Sequence, residues 1–166
     1  MDRVYKGRPP RLAQVFQRDG WPLYFVTMNT WDRSSVLACP DVHHAFCNYG
    51  ENGLALGAGM GRYVIMPDHI HVFVRIAPNM TLKRWSSGLK RVLGVVLTDS
   101  GLSPRDASGY RLKSFWQPGF FDHLLRHNES YVEKWDYVRQ NPVRAGLVEE
   151  PDDWPYQGEI TRIDRV

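Results

Sequence analysis

His69 and His71 flank Ile70 in the run Met66-Pro67-Asp68-His69-Ile70-His71-Val72-Phe73-Val74. The branched and aromatic residues around them predict a strand, in which alternate side chains share a face. Both imidazoles then project to one side, while Ile70, Phe73 and their neighbours are expected to pack the other way. A neutral imidazole pair is half of a divalent-metal site. A helix carrying a nucleophile would complete it, and residues 129–148 (ESYVEKWDYVRQNPVRAGLV) read as that helix. Tyr137 and Asn141 are four apart, hence on one helical face.

These motifs, taken together, resemble the REP-associated tyrosine transposase branch of the single-tyrosine HUH transposases. His-x-His alone is common. The specific signal is Met-Pro-Asp-His-Ile-His-Val followed far downstream by Asp-Tyr-Val-x-x-Asn-Pro-Val-Arg-Ala-Gly-Leu. The resemblance runs from the opening strand near Trp21 to the tail near Trp154. It implies an α+β fold with a ferredoxin-like, RRM-like antiparallel sheet and helices packed on one face. It also implies single-stranded DNA as substrate, in the form of a repetitive palindrome folded as a hairpin.

In that setting His69, His71 and one oxygen ligand would hold a divalent cation, magnesium or manganese, able to polarise a phosphodiester oxygen. Tyr137 would attack in line, giving a 5′-phosphotyrosine and a free 3′-hydroxyl, and strand transfer would follow without ATP. A phenol is a poor nucleophile at its resting pKa of about 10, so proximity and the metal must assist. Asn141, with its neutral hard carbonyl, is the favoured third ligand. Pro142 disfavours helical backbone at Asn141, so Gln140 and His123 remain alternatives. Two imidazoles suit manganese better than magnesium, and the donor set leaves zinc open.

For DNA contacts, Lys83, Arg84, Lys90 and Arg91 form a basic stripe along one helix, and Arg139 and Arg144 flank the tyrosine segment. Trp116 could stack on a base, worth about 1–3 kcal/mol where it occurs. A solvated face and a core indole are the plain structural readings of the stripe and of Trp116. Two other functions fit the same residues: a domesticated hairpin-binding protein without transposition, and a metal-dependent phosphodiesterase that uses water. Monomer and homodimer both stay open, since some single-tyrosine relatives exchange the tyrosine helix between subunits.

Composition bounds these readings. A chain of 166 residues with 43% hydrophobic content and six tryptophans can bury a substantial core. The formal charge of +3 and pI of about 8.9 suit a polyanion partner without requiring one. No apolar run is long enough to span a bilayer, and a soluble cytoplasmic protein is expected. Cys39, His43, His44 and Cys47 crowd one segment, but their spacing matches no usual zinc pattern.

The elements that must position the site follow in order. Residues 1–20 read as an arm whose Lys6, Arg8, Arg11 and Arg18 could touch phosphates, 21–150 as the catalytic domain, and 151–166 as a tail packing on it. Residues 21–29 predict a strand, and 40–49 a short helix closed by a Gly50-Glu51-Asn52-Gly53 turn. Gly57-Ala58-Gly59-Met60-Gly61 lacks a following helix and the Lys-Ser/Thr pair of a phosphate loop, so it reads as a strand lead-in. Strands are expected over 62–66 and 69–76, and an amphipathic helix over 80–98. Residues 115–117 and 120–126 predict a strand pair, and Asn128 or Ser130 can cap the last helix, which Pro142 stops. Tyr131 reads as packing.

Overall fold

Branched and aromatic residues build one five-stranded antiparallel sheet in the computed structural model, which describes residues 20–126 and 128–163. The expected arm lies outside those residues but for Gly20, and so do the side chains of Asn128 and Ser130. The strands are β1 (Leu23–Asn29), β2 (Ala58–Ile65), β3 (His69–Ile76), β4 (Phe121–Leu125) and β5 (Gln157–Glu159). They lie in the order β4-β1-β3-β2-β5. Helix α1 (Pro40–Gly53) links β1 to β2, and α2 (Leu82–Asp99) links β3 to β4. This βαββαβ succession with central order 4-1-3-2 is the ferredoxin-like arrangement, widened by β5 on its β2 edge.

The layer of helices expected on one face is formed by α1 and α2. Val42 and Phe46 from α1, and Trp85, Leu89 and Leu93 from α2, are buried with Val26, Met28, Ile70, Val72 and Val74 of the sheet. The opposite face carries a second core, closed by α3 (Asn128–Val138) and the C-terminal residues. Phe73 belongs to it, packing 4.5 Å from the Tyr131 ring and 6.5 Å from Trp135. That corrects its expected placement, because residues 69, 71 and 73 of one strand share a face. Tyr131 is packing, as expected, and Trp154 Nε1 donates to the Ile65 carbonyl at 3.0 Å.

Four local expectations change. Helix α1 continues through Gly50–Gly53, whose glycines serve close approach and not a turn: a Cβ on Gly53 would lie 2.9 Å from the Ala58 carbonyl oxygen. The left-handed residue that ends this connection is Gly57 (φ 97°). The glycine-rich lead-in is itself strand, since β2 begins at Ala58, and a Cβ on Gly61 would meet Ile163 at 2.5 Å. Residues 115–117 do not pair with β4. Trp116 bridges Thr30 and β4 pairs with β1, so both line the same edge of one strand.

The single helix expected over 129–148 is broken. Chain leaves α3 at Val138 and re-enters a one-turn helix, α4 (Asn141–Arg144). A proline ring clashes with the carbonyl four residues back, which here is that of Val138. Pro142 therefore sits in the first turn of α4, where its missing N–H costs nothing.

Because Phe73 joins α3 to the sheet, Phe73→Ala should cost about 3–5 kcal/mol of unfolding free energy. Urea denaturation would measure it, and a loss near zero would show that α3 is held elsewhere.

Candidate active site

The pairing of β1 with β3 sets Thr27 opposite His71 and Asn29 opposite His69. Cross-strand partners share a face, so these four side chains converge. Thr27 Oγ1 lies 2.8 Å from His71 Nδ1, and Phe25 stacks on the His71 ring at 5.3 Å and 19°. The two imidazoles meet edge to face at 4.7 Å. Asp68 Oδ1 is 2.6 Å from His69 Nδ1, and Asp68 Oδ2 is 2.7 Å from Arg33 Nε. Both Nδ1 atoms are thus engaged, which leaves each Nε2 for an outside ligand. Metal-binding histidines are oriented in this way.

Burial pushes His71 down to about 3, helped by the charges of His69, Lys134, Arg33 and Arg144. Burial also lowers His69; the hydrogen bond and charge of Asp68 oppose the shift, and Arg33 adds to it. Both rings are neutral at neutral pH, the form that coordinates a cation. Sequence reasoning missed Thr27, Asn29 and Arg33, and quoted Asp68 without a role. Alternation along β1 was the available signal for Thr27 and Asn29.

Tyr137 reaches this face on α3. Tyr131 and Val138 are buried beneath the helix, whereas Tyr137 is 65% exposed. Lys134, one turn earlier, holds its Nζ 4.9 Å from the centre of the Phe25 ring that stacks on His71. His123, Leu125, Glu133, Lys134 and Tyr137 line a cavity of ≈ 400 Å³. The Arg144 guanidinium lies 4.2 Å over the Tyr137 ring, donates to the Tyr137 carbonyl at 2.7 Å, and donates to Asn141 Oδ1. Tyr137 and Asn141 are therefore joined through Arg144, not through one continuous helical face. Gln140 is exposed at the start of α4. Among the described residues no three His, Cys, Asp or Glu side chains are grouped to hold a metal, so His123 does not join His69 and His71.

The expected DNA contacts are scattered. Lys83, Arg84 and Arg91 are exposed on α2, which covers the sheet face opposite the histidines. Arg91 also lines a groove of ≈ 730 Å³ with Arg111 and Lys113. Lys90 is not a free phosphate ligand: its Nζ donates to the carbonyls of Gln117 (3.0 Å) and Gly119, and burial lowers its pKa. Trp116 is 4% exposed and donates its indole N–H to the Lys90 carbonyl at 3.1 Å, so it offers no face to a base. Arg139 is paired with Asp152 at 2.6 Å, whereas the Arg144 guanidinium touches the tyrosine. In the cysteine segment, His43 Nε2 is 2.7 Å and Cys47 Sγ 3.3 Å from the buried Tyr63 hydroxyl.

Residues 44–141 match the family model described as "Transposase IS200 like". A provisionally named REP-associated tyrosine transposase of Haemophilus influenzae is 30% identical over 139 residues, covering 81% of this chain and 77% of that protein. A REP-associated tyrosine transposase of Escherichia coli K12 is 42% identical over 45 residues, 27% of each chain. In fold, the chain is similar to a REP-associated tyrosine transposase solved bound to a REP hairpin, with TM-score 0.62 and 24% identity over 83% of this chain and 76% of that one.

The histidine shifts carry a pH signature. His71 has a folded pKa of about 3, below its unfolded value of about 6.5. The unfolded chain therefore takes up the proton first, and stability falls as pH drops from about 6.5 toward 3. Urea unfolding of chelator-treated protein should show this slope, and His71→Gln should make it shallower. An equal slope in the variant would mean that His71 is not buried neutral.

Proposed function

Because the chain belongs to the IS200-like transposase family, we propose that it is a metal-dependent transposase that cleaves and rejoins single-stranded DNA at a repetitive palindromic hairpin, with Tyr137 as nucleophile. The observation that carries the reading is an exposed tyrosine on a helix packed on the sheet face that also bears two neutral imidazoles, with one guanidinium joining it to Asn141. His69 and His71, through Nε2, and the Asn141 carbonyl would hold a magnesium or manganese ion. That donor set of two imidazoles and a neutral oxygen fits such an ion. When bound, the ion supplies Lewis-acid polarisation of a phosphodiester oxygen.

The chain's own residues do the rest. The Tyr137 phenol oxygen attacks phosphorus and loses its proton to solvent. A bond forms from that oxygen to phosphorus, and the bond from phosphorus to the 3′-oxygen breaks. The products are a 5′-phosphotyrosine and a 3′-hydroxyl that takes up a proton. A later 3′-hydroxyl reverses the step on the same linkage, which joins strands with no external energy source. Arg144 brings positive charge to the nucleophile's ring and fixes the Tyr137 backbone. Arg33, Lys134 and Arg144 together surround neutral imidazoles with cations, a field that draws in phosphate.

Incubation with labelled hairpin DNA and manganese, followed by denaturing electrophoresis and mass spectrometry, tests the proposal. A covalent adduct on Tyr137 is expected, and Tyr137→Phe should abolish it while hairpin binding stays within a few-fold, since one hydroxyl is lost and little contact area. Cleavage without an adduct would make water the nucleophile. Binding without cleavage would make the chain a hairpin-binding protein.

Helix α3 packs on its own chain's Phe73, so we propose that each molecule uses its own tyrosine. Mixing Tyr137→Phe with His71→Ala protein should then restore no adduct. Restored adduct would show that subunits exchange the helix.

A further inference from the structure

Arg33 is held in an uncommon way. Asp32 (φ 49°) and Arg33 (φ 54°) are consecutive non-glycine residues in left-handed backbone, a conformation that L side chains adopt at a cost. The surroundings hold it from several sides. Thr30 is fully buried: its N–H and hydroxyl lie 3.0 Å from the Asp68 carbonyl, and the hydroxyl is 2.9 Å from the Ser34 carbonyl. Trp31 N–H donates to the Phe115 carbonyl at 2.9 Å, and Asp32 Oδ2 accepts from Ala107 N–H at 3.0 Å.

What this strained turn delivers is a guanidinium beside His69. Arg33 donates from Nη1 to Asn29 Oδ1 at 2.6 Å and from Nε to Asp68 Oδ2 at 2.7 Å. Asp68 Oδ1 lies 2.6 Å from His69 Nδ1, whereas Arg33 Nη2 is farther from that nitrogen, at 3.2 Å. A carboxylate only accepts, so the shorter contact decides that Nδ1 carries the proton. The Nε2 lone pair is then free. A half-exposed ion pair stabilises a fold little, so stability does not account for backbone strain at Arg33.

We infer that Arg33 and Asp68 are positioning residues of the reaction centre: Arg33 anchors the Asp68 carboxylate, and Asp68 holds His69 as the Nδ1–H tautomer that presents Nε2 to the divalent cation. The inference rests on the reading that His69 is a metal ligand. Asn29, opposite His69 in the sheet, completes the anchor by fixing the far end of the guanidinium.

Two readouts test it. Histidine-labelled protein without metal should show His69 as Nδ1–H in nitrogen–proton ring correlations, and Asp68→Ala should convert it to a mixture. A predominant Nε2–H form in the parent protein would overturn the inference. Calorimetry with manganese(II) should then show about 10–100-fold weaker binding for Asp68→Ala, the usual effect of losing a partner behind a metal-bound histidine. Arg33→Gly relieves the left-handed backbone, so it should keep or raise the melting temperature while weakening manganese binding, a split that misfolding cannot produce. If Asp68→Ala binds manganese as the parent does, the positioning role fails. If His69→Ala also binds it unchanged, the ligand assignment fails instead, and the tautomer measurement still decides the lock.

Discussion

The antiparallel register of β1 on β3 is the constraint from which the site follows. It sets Thr27 against His71 and Asn29 against His69, and it is enforced from the other face, where Val26, Met28, Ile70 and Val72 are buried under α1 and α2. A slip of one residue would carry the histidines into that apolar core and the aliphatic residues out. The cost of burying unpaired imidazoles excludes the alternative register. Hydrophobic packing on one side of the sheet thus fixes polar geometry on the other. The Met66 N–H to His69 carbonyl bond at 2.8 Å closes the hairpin and aims Asp68 back at the ring that follows it.

Delivery of the tyrosine depends on a different balance. Helix α3 is held by rings, with Phe73 against Tyr131 and Trp135 and the Arg62 guanidinium over both indole and phenol rings at 5.7 and 5.3 Å. That stripe leaves Tyr137 outside the core. Pro142 then ends the helix early, and the turn it forces folds Arg144 back over the tyrosine. A straight helix through residue 148 would have carried Arg144 two turns away along the axis. The break at Pro142 is what brings Tyr137, Asn141 and Arg144 together.

Much of this was legible in the sequence because period and composition are local signals. Branched and aromatic composition marked β1 and β3, three-and-four spacing marked α2, and the strand rule put both histidines on one face. Phe73 shows where care with the same rule matters, since period two assigns it to the histidine face. Register between strands is not local, so Asn29 and Thr27 could not be paired with the histidines. Lys90 and Trp116 illustrate a second limit. A basic residue at the border of an amphipathic helix can serve phosphates or cap carbonyls, and the loop that supplies those carbonyls lies 27 and 29 residues away. Glycines misled for a third reason: Gly50 and Gly53 were taken as turn residues, but their use is close packing inside a helix.

Three departures from local rules gather near one place. Left-handed backbone at Asp32 and Arg33, an imidazole buried neutral at His71, and an exposed aromatic at Tyr137 each oppose folding or solubility. They lie around one face of β3, while α1 and α2 bury an apolar core on the other. A sheet with a core on each side permits this division, because the stability of one face can offset what the other gives up. The charge pattern follows the same logic. A formal charge of +3 gives a polyanion only a modest net attraction, and Arg33, Lys134 and Arg144 add positive charge locally around His71. Positive charge is thus gathered around imidazoles that themselves stay neutral, so the field at this face comes from the guanidinium and ammonium groups and not from the histidines.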